Sequence, residues 1–157
     1  MTDTSKFLKD LTDRRASVRA TAAKGLGALR SGESLPALIS SLKDDQKIVR
    51  REAALALGKI GDPDAVPALL ALLRDTDQEA RLAAMVALGK IRDRSAVSPL
   101  IACLHDHDMR IRVGAIETLA TVGDPHAINP IRTLLQDRFS DVREAAQQAI
   151  TRLSKKQ

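Results

Sequence analysis

The chain has 157 residues, 44% of them hydrophobic and 29% charged, with 25 lysines and arginines against 20 aspartates and glutamates. This composition excludes a disordered chain, and a net charge of +5 with interspersed signs favours acidic or nucleic-acid partners only mildly. Because there is no tryptophan or tyrosine and only two phenylalanines, the core must consist of Leu, Ile, Val and Ala, which suits closely packed helices.

Cysteine usage and the N-terminal sequence indicate the compartment. Cys103 is the only cysteine, so no internal disulfide can form and a reducing compartment is expected. The first ten residues lack the basic and apolar regions of a signal peptide, and no stretch reaches the roughly 18 apolar residues of a membrane span. We therefore predict a cytoplasmic protein with no membrane partner.

A repeat of 31 residues runs through the chain without insertion. Its columns contain an aspartate, an arginine and a leucine or isoleucine: Asp13, Asp44, Asp75, Asp106 and Asp137; Arg19, Arg50, Arg81, Arg112 and Arg143; Leu26, Leu57, Leu88, Leu119 and Ile150. Such self-similarity is typical of stacked repeats, none of which buries its apolar face alone. With no linker between repeats, the sequence predicts a single domain over residues 1–157.

Each repeat predicts two helices. An opening helix is expected at about 5–12, repeats begin near residues 18, 49, 80 and 111, and a closing helix follows at about 140–153, which makes ten helices. Between the two helices of a repeat, Asp62 can cap the second helix and Pro63 suits its first turn. Two apolar columns become polar at Arg132 and Gln147, which is typical of a capping unit, so we expect a complete solenoid.

The unit VRREAALALGKIGDPDAVPALLALLRDTD resembles the short HEAT-like repeat of phycocyanobilin lyase subunits. The shared elements are the Val-Arg opening, the Ala-Leu-Gly of the first helix, the Gly-Asp-Pro turn and the aspartate after the second helix, over about residues 5 to 153. The resemblance implies an all-α fold, a right-handed α-α superhelix (HEAT-like solenoid) of about five helical hairpins, whose second helices line a concave face. The third repeat departs from the pattern, because Arg92-Asp93-Arg94 replaces Gly-Asp-Pro.

The arginine column occupies the first turn of each first helix, where the helix dipole disfavours a cation. The aspartate column, six residues earlier, lies on the same edge and can compensate the charge. We predict a ladder of Asp–Arg contacts between neighbouring repeats, with an anion-binding ladder as the alternative.

Residues with catalytic or metal-binding chemistry are few. The run His105-Asp106-His107-Asp108 places its donors in adjacent positions of one turn, whereas metal sites use separated ligands with supporting partners. Cys103 lies two residues from His105, so on a helix the two side chains point in different directions. We predict a solvated turn and a packing cysteine, with no catalytic residue, no metal and no cofactor.

The second helices carry small and apolar residues outside their core stripe, where solvent-facing positions normally carry charges. This surface predicts a groove for a partner's helix or extended segment. Its expected residues are Ala37, Ser40, Ser41, Lys43, Ala68, Ala71, Leu72, Arg74, Ala102, Cys103, His105, Thr133 and Leu134. A second expected surface, for an acidic partner, is the basic edge of Lys90, Arg92 and Arg94.

These features favour a non-catalytic protein–protein interaction scaffold, or an assembly or adaptor factor, that binds a partner segment in its concave groove. The alternative implied by the resemblance is a subunit of a bilin lyase-type complex that acts on phycobiliproteins. Nucleic-acid binding ranks below both, because the groove carries few cations and only Phe7 and Phe139 could stack a base. The sequence leaves the oligomeric state open.

Overall fold

The computed structural model describes residues 3–155, which fold into helices joined by short turns. Within these residues there are ten α-helices and no strand. They are α1 (Asp3–Asp10), α2 (Ala16–Leu29), α3 (Leu35–Ser41), α4 (Lys47–Ile60), α5 (Val66–Leu72), α6 (Gln78–Ile91), α7 (Val97–Cys103), α8 (Met109–Val122), α9 (Ile128–Arg132) and α10 (Ser140–Ser154). In this part of the chain, no helix is both long and apolar enough to span a bilayer.

The helices form hairpins in which the turn carries the column aspartate. In each hairpin an odd-numbered helix packs against the even-numbered helix that follows it, from α1 with α2 to α9 with α10. The described residues therefore contain the five hairpins that the 31-residue repeat predicts, and the prediction of an all-α HEAT-like solenoid is confirmed.

The hairpins group into two compact units, Met1–Ile91 with α1 to α6 and Arg92–Gln157 with α7 to α10. The boundary falls at Arg92, where the third repeat departs from the Gly-Asp-Pro turn. A single domain over residues 1–157 stays a prediction, and the two units are described one at a time below.

The turn between the repeats' two helices has the predicted chemistry. The Asp62 carboxylate accepts a hydrogen bond from the main-chain nitrogen of Asp64 at 2.9 Å, and Pro63 occupies the first position of a short 3-10 turn. Asp93 and Asp124 cap the corresponding turns in the same way. Because the aspartate satisfies a main-chain donor that the turn leaves open, α5, α7 and α9 each start at a defined residue.

A left-handed residue ends each of four even-numbered helices. Gly61 and Gly123 have φ angles of 80° and 83°, whereas the equivalent Arg30 and Arg92 have φ angles of 49° and 59°. Glycine adopts this region without steric cost, but a residue with a Cβ does not. The two arginines therefore hold their backbones in a strained conformation.

In the first unit, glycines bring the even-numbered helices together. A Cβ atom added to Gly27 would lie 2.6 Å from the Cα of Ala56, and one added to Gly58 would lie 2.7 Å from the Cα of Ala87. These distances are far below ordinary van der Waals contact, so α2, α4 and α6 pack with their backbones nearly touching. Leu57, from the leucine column, is fully buried beside this contact.

Candidate protein-docking groove

The arginine column forms the predicted ladder of ion pairs. In the first unit, Arg19 donates to both carboxylate oxygens of Asp44 at 2.7 and 2.8 Å, and Arg50 makes the same pair of bonds to Asp75. In the second unit, Arg112 binds Asp137 at 2.8 and 3.0 Å. The prediction of Asp–Arg contacts between neighbouring hairpins is confirmed for these three arginines.

The aspartate that precedes each arginine has a different role from the one that the sequence suggests. Arg19 donates through Nη1 to the main-chain oxygen of Asp13, six residues earlier, at 2.8 Å, whereas the carboxylate comes from Asp44 in the following turn. The guanidinium beside Asp44 holds the pKa of that carboxyl below its ordinary value, despite partial burial. Each of these three guanidiniums is already bound to a carboxylate of the next hairpin. This edge therefore has a structural role, in which bidentate ion pairs join neighbouring hairpins.

A surface cavity of about 240 Å³ lies between α3 and α5 in the first unit. Its walls come from the ends of both helices and the turns that follow them. The lining residues are Ile39, Leu42, Lys43, Ala68, Ala71, Leu72, Arg74 and Asp75. We call this cavity the α3–α5 groove.

The groove has an apolar floor because short helices present small or aliphatic side chains there. Leu42 and Leu72 are each only 5% exposed, so they form the floor rather than the rim. Ala71 is exposed and Ala68 half-buried, and neither carries enough side chain to fill the space above the leucines. Both α3 and α5 have a proline in their first turn, which is Pro67 in α5. Proline suits this position because no main-chain donor is needed there.

The rim of the groove carries positive charge. Lys43 and Arg74 are exposed, and within residues 3–155 neither lies within ion-pair distance of a carboxylate. The third charged lining residue, Asp75, is already paired with Arg50 at 2.7 Å. The groove therefore offers two cations that no carboxylate of the described residues neutralises.

The remaining residues expected at a partner surface are divided between the two units. In the first unit Ser40 is exposed and Ala37 is half-buried, and the Ser41 hydroxyl donates to the Ala37 carbonyl at 3.0 Å. In the second unit, Ala102, His105 and Thr133 are exposed, Cys103 is half-buried, and Leu134 is 8% exposed. Leu72 and Leu134 thus lie deeper than the other residues of the predicted surface.

The basic edge is exposed, but its members differ. Lys90 lies in the last turn of α6, and Arg92 holds the left-handed conformation that follows it. The Arg94 side chain is 80% exposed, with its Nε 4.0 Å from Oδ2 of Asp124. Binding of an acidic partner at this edge stays a prediction.

The histidine run lies in the turn between α7 and α8. His105 is exposed and the His107 side chain is 90% exposed, while the Asp108 carboxylate caps α8 by accepting from the main-chain nitrogen of Arg110 at 2.9 Å. The described residues contain no group of three or more side chains placed to hold a metal ion.

Sequence reasoning missed a second cavity, of about 380 Å³, between α8 and α10 of the second unit. Ala120 and Ala149 lie in its wall, with Glu117 and Arg152 also lining it. Ala120 occupies the repeat position of Gly27 and Gly58, so a methyl group replaces the glycine that lets helices touch in the first unit. The available signal was this change from glycine to alanine in one column.

Comparisons with known proteins agree with the stacked hairpins, which define a helical-repeat protein. A model of HEAT repeats matches residues 4–88 and 67–151, and the chain therefore belongs to the HEAT-repeat family. A comparison with curated protein sequences gave no match.

Three solved structures are similar to this chain. The complex of CpcE and CpcF of phycocyanin lyase from Nostoc sp. PCC7120 contains a chain that is 30% identical, with a TM-score of 0.87 over 99% of this chain and 66% of that chain. An engineered protein is 25% identical, with a TM-score of 0.68 over 97% of this chain and 79% of that chain. A designed armadillo repeat protein in complex with the peptide (KR)4 is 20% identical, with a TM-score of 0.75 over 96% and 81%, and shows the fold alone.

The resemblance to repeats of the phycocyanobilin lyase type is thereby confirmed. This chain spans just under two thirds of the length of the lyase chain that it matches.

Proposed function

We propose that this protein is a non-catalytic interaction scaffold or assembly factor that holds a helix or extended segment of another protein in the α3–α5 groove. The observation that carries the proposal is the groove itself, which combines an apolar floor with a rim of two cations that no carboxylate of residues 3–155 pairs with. An apolar centre inside a polar rim is the usual anatomy of a protein–protein interface. A preformed groove also lowers the cost of binding, because little of it has to be ordered.

The size of the groove favours side chains over small-molecule ligands. Its volume of about 240 Å³ lies below the roughly 300–1,000 Å³ of ordinary ligand and cofactor pockets. One or two aliphatic side chains of a partner would fill it. The similar lyase chain also comes from a complex of two proteins, which supports a protein partner.

The test fills the groove with a neutral side chain. Ala71 is exposed and lines the groove, so Ala71→Trp should occlude the site without changing charge or core packing. Thr21→Trp is the matched control, because Thr21 is exposed on α2 and does not line the groove. Both variants and wild type would serve as bait in affinity capture from the source organism, with folding checked by circular dichroism.

We expect Ala71→Trp to lose a captured protein that wild type and Thr21→Trp both retain. Reconstitution with that purified protein should then show a direct complex with the same order of affinities. If Ala71→Trp binds the purified partner as tightly as wild type does, the groove is not the docking site.

A second candidate is a subunit of a bilin lyase-type complex, and the specific observation in its favour is the 30% identity to the phycocyanin lyase chain. This function predicts that the chain, together with a second subunit, promotes attachment of a bilin to a phycobiliprotein or its removal. The measurement is visible absorbance that remains with the phycobiliprotein after denaturing electrophoresis. Equal pigment transfer with and without this chain would reject the candidate.

A further inference from the structure

We infer that the segment held in the α3–α5 groove is acidic, with an aliphatic anchor residue between two carboxylates; this inference rests on the proposed function. The groove has an apolar floor and two cations on its rim, and the one carboxylate that lines it is already bound by Arg50. A partner segment that fits must therefore bring a side chain for the floor and anions for the rim.

The charge of the groove is set by two residues at equivalent repeat positions. Lys43 follows α3, and Arg74 follows α5 one 31-residue period later. The same column continues as His105 and Gln136. Within this column, a lysine or arginine is therefore found only in the first unit. Carboxylates of a partner are the side chains that complement two exposed cations, and such pairs set the register of binding and its association rate.

The floor requires an aliphatic residue beside those carboxylates. Ile39, Leu42 and Leu72 surround a space that the small side chains of Ala68 and Ala71 leave open. A polyanion with no apolar group, such as nucleic acid, would leave the exposed apolar surface of Ile39 and the two alanines facing water. An aliphatic side chain inserted here removes that surface from water and gives the hydrophobic stabilisation that phosphates lack.

The spacing of the two cations limits the sequence of the segment. Lys43 and Arg74 line one cavity of about 240 Å³, so their positions are separated by roughly 8–10 Å, which is similar to the usual spacing of adjacent helices. An extended segment covers about 10 Å in three residues, and a helix covers it in about seven. The inferred motif has acidic residues three apart in an extended segment, or seven apart in a helix, with the anchor between them.

The experiment measures fluorescence anisotropy with labelled 12-residue peptides. The probe has a central leucine between two glutamates that are three residues apart, and a second probe has the helical spacing. For each, one matched peptide has both glutamates replaced by glutamine and another has the leucine replaced by serine. The proteins are wild type, Lys43→Gln/Arg74→Gln, Ala71→Trp, and the charge-matched control Lys24→Gln/Lys59→Gln, whose changes lie on α2 and α4.

We expect wild type and the charge-matched control to prefer an acidic leucine peptide over both matched peptides. Loss of both rim charges should weaken that binding by roughly twofold to twentyfold, as the energies of exposed ion pairs suggest, and should reduce its dependence on salt. Ala71→Trp should abolish it.

Other results would overturn the inference. Equal binding of the glutamine peptide, still blocked by Ala71→Trp, would reject the acidic partner and leave the groove intact. Acidic binding that ignores Ala71→Trp would reject the groove together with the inference. Binding of duplex DNA that depends on Lys43 and Arg74, combined with indifference to the leucine, would identify a polyanion site instead, and no binding of any peptide would reject the inferred motif.

Discussion

The close approach of α4 and α6 predicts the effect of adding one methyl group at Gly58. The Cβ of Gly58→Ala would lie 2.7 Å from the Cα and 3.0 Å from the Cβ of Ala87. Normal carbon contacts are about 3.5–4.0 Å, so the two helices must separate by about 1 Å. Overpacking of this kind costs about 1–3 kcal/mol, and alanine returns about 1 kcal/mol of helix propensity. We expect a net loss of about 1 kcal/mol in the free energy of unfolding.

The matched control is Gly32→Ala. Its added Cβ would meet nothing within 4 Å, so the substitution should stabilise the protein by about 0.4–1 kcal/mol through the unfolded chain. Urea denaturation followed by circular dichroism would measure both variants. If Gly58→Ala proves as stabilising as Gly32→Ala, the helices are not in backbone contact and the reasoning fails.

Three further predictions concern the helix ends and the ladder. Arg30→Gly should raise the free energy of unfolding by about 1 kcal/mol in thermal or urea melts, because glycine relieves the left-handed strain at a φ of 49°; an unchanged or lower stability would contradict this. Arg50→Met should cost about 1–3 kcal/mol, because it leaves the partly buried carboxylate of Asp75 without its cation while the hydrogen bond from the main-chain nitrogen of Asp77 remains. Arg50→Met/Asp75→Leu should recover part of that loss, and additive losses in a double-mutant cycle would argue against the pair. Pairing with Arg19 lowers the pKa of Asp44 in the folded protein. The pair therefore stabilises the fold above about pH 4, and this contribution is lost as the pH falls through the folded pKa. Asp44→Asn should flatten this part of an acid-unfolding curve.

The fold was predictable because each structural requirement recurs at the same position of most repeats. The helices, the Asp62 cap and the Asp–Arg ladder each depend on residues that return every 31 positions, so one repeat checks another. The partner of each arginine was harder to predict from the sequence. A helical side chain leans towards the N-terminus of its helix, and which turn lies beside it depends on how hairpins stack. The sequence therefore indicated the ladder, but only the structure shows that Asp44 supplies the carboxylate and Asp13 the carbonyl.

The candidate site was predictable in composition and less so in depth. Small residues and the cations Lys43 and Arg74 could be read from the columns, because outward positions follow from the helical period. The burial of Leu72 could not, since it depends on how α5 packs against the neighbouring helices, which the repeat pattern does not specify. For the same reason the cavity beside Ala120 was missed, because one methyl group changes a helix spacing without changing the apolar pattern.

The ladder also bears on how a chain of this kind can lengthen in evolution. Arg50 and Asp75 are 25 residues apart and lie within one 31-residue period, 47–77. Tandem duplication of a whole period therefore copies an arginine together with its carboxylate, so the new repeat contains both members of an ion pair. An insertion between the two residues that is not a whole number of periods would move the arginine away from its carboxylate. Selection can then vary the number of repeats while the outward residues of each copy diverge to suit new partners.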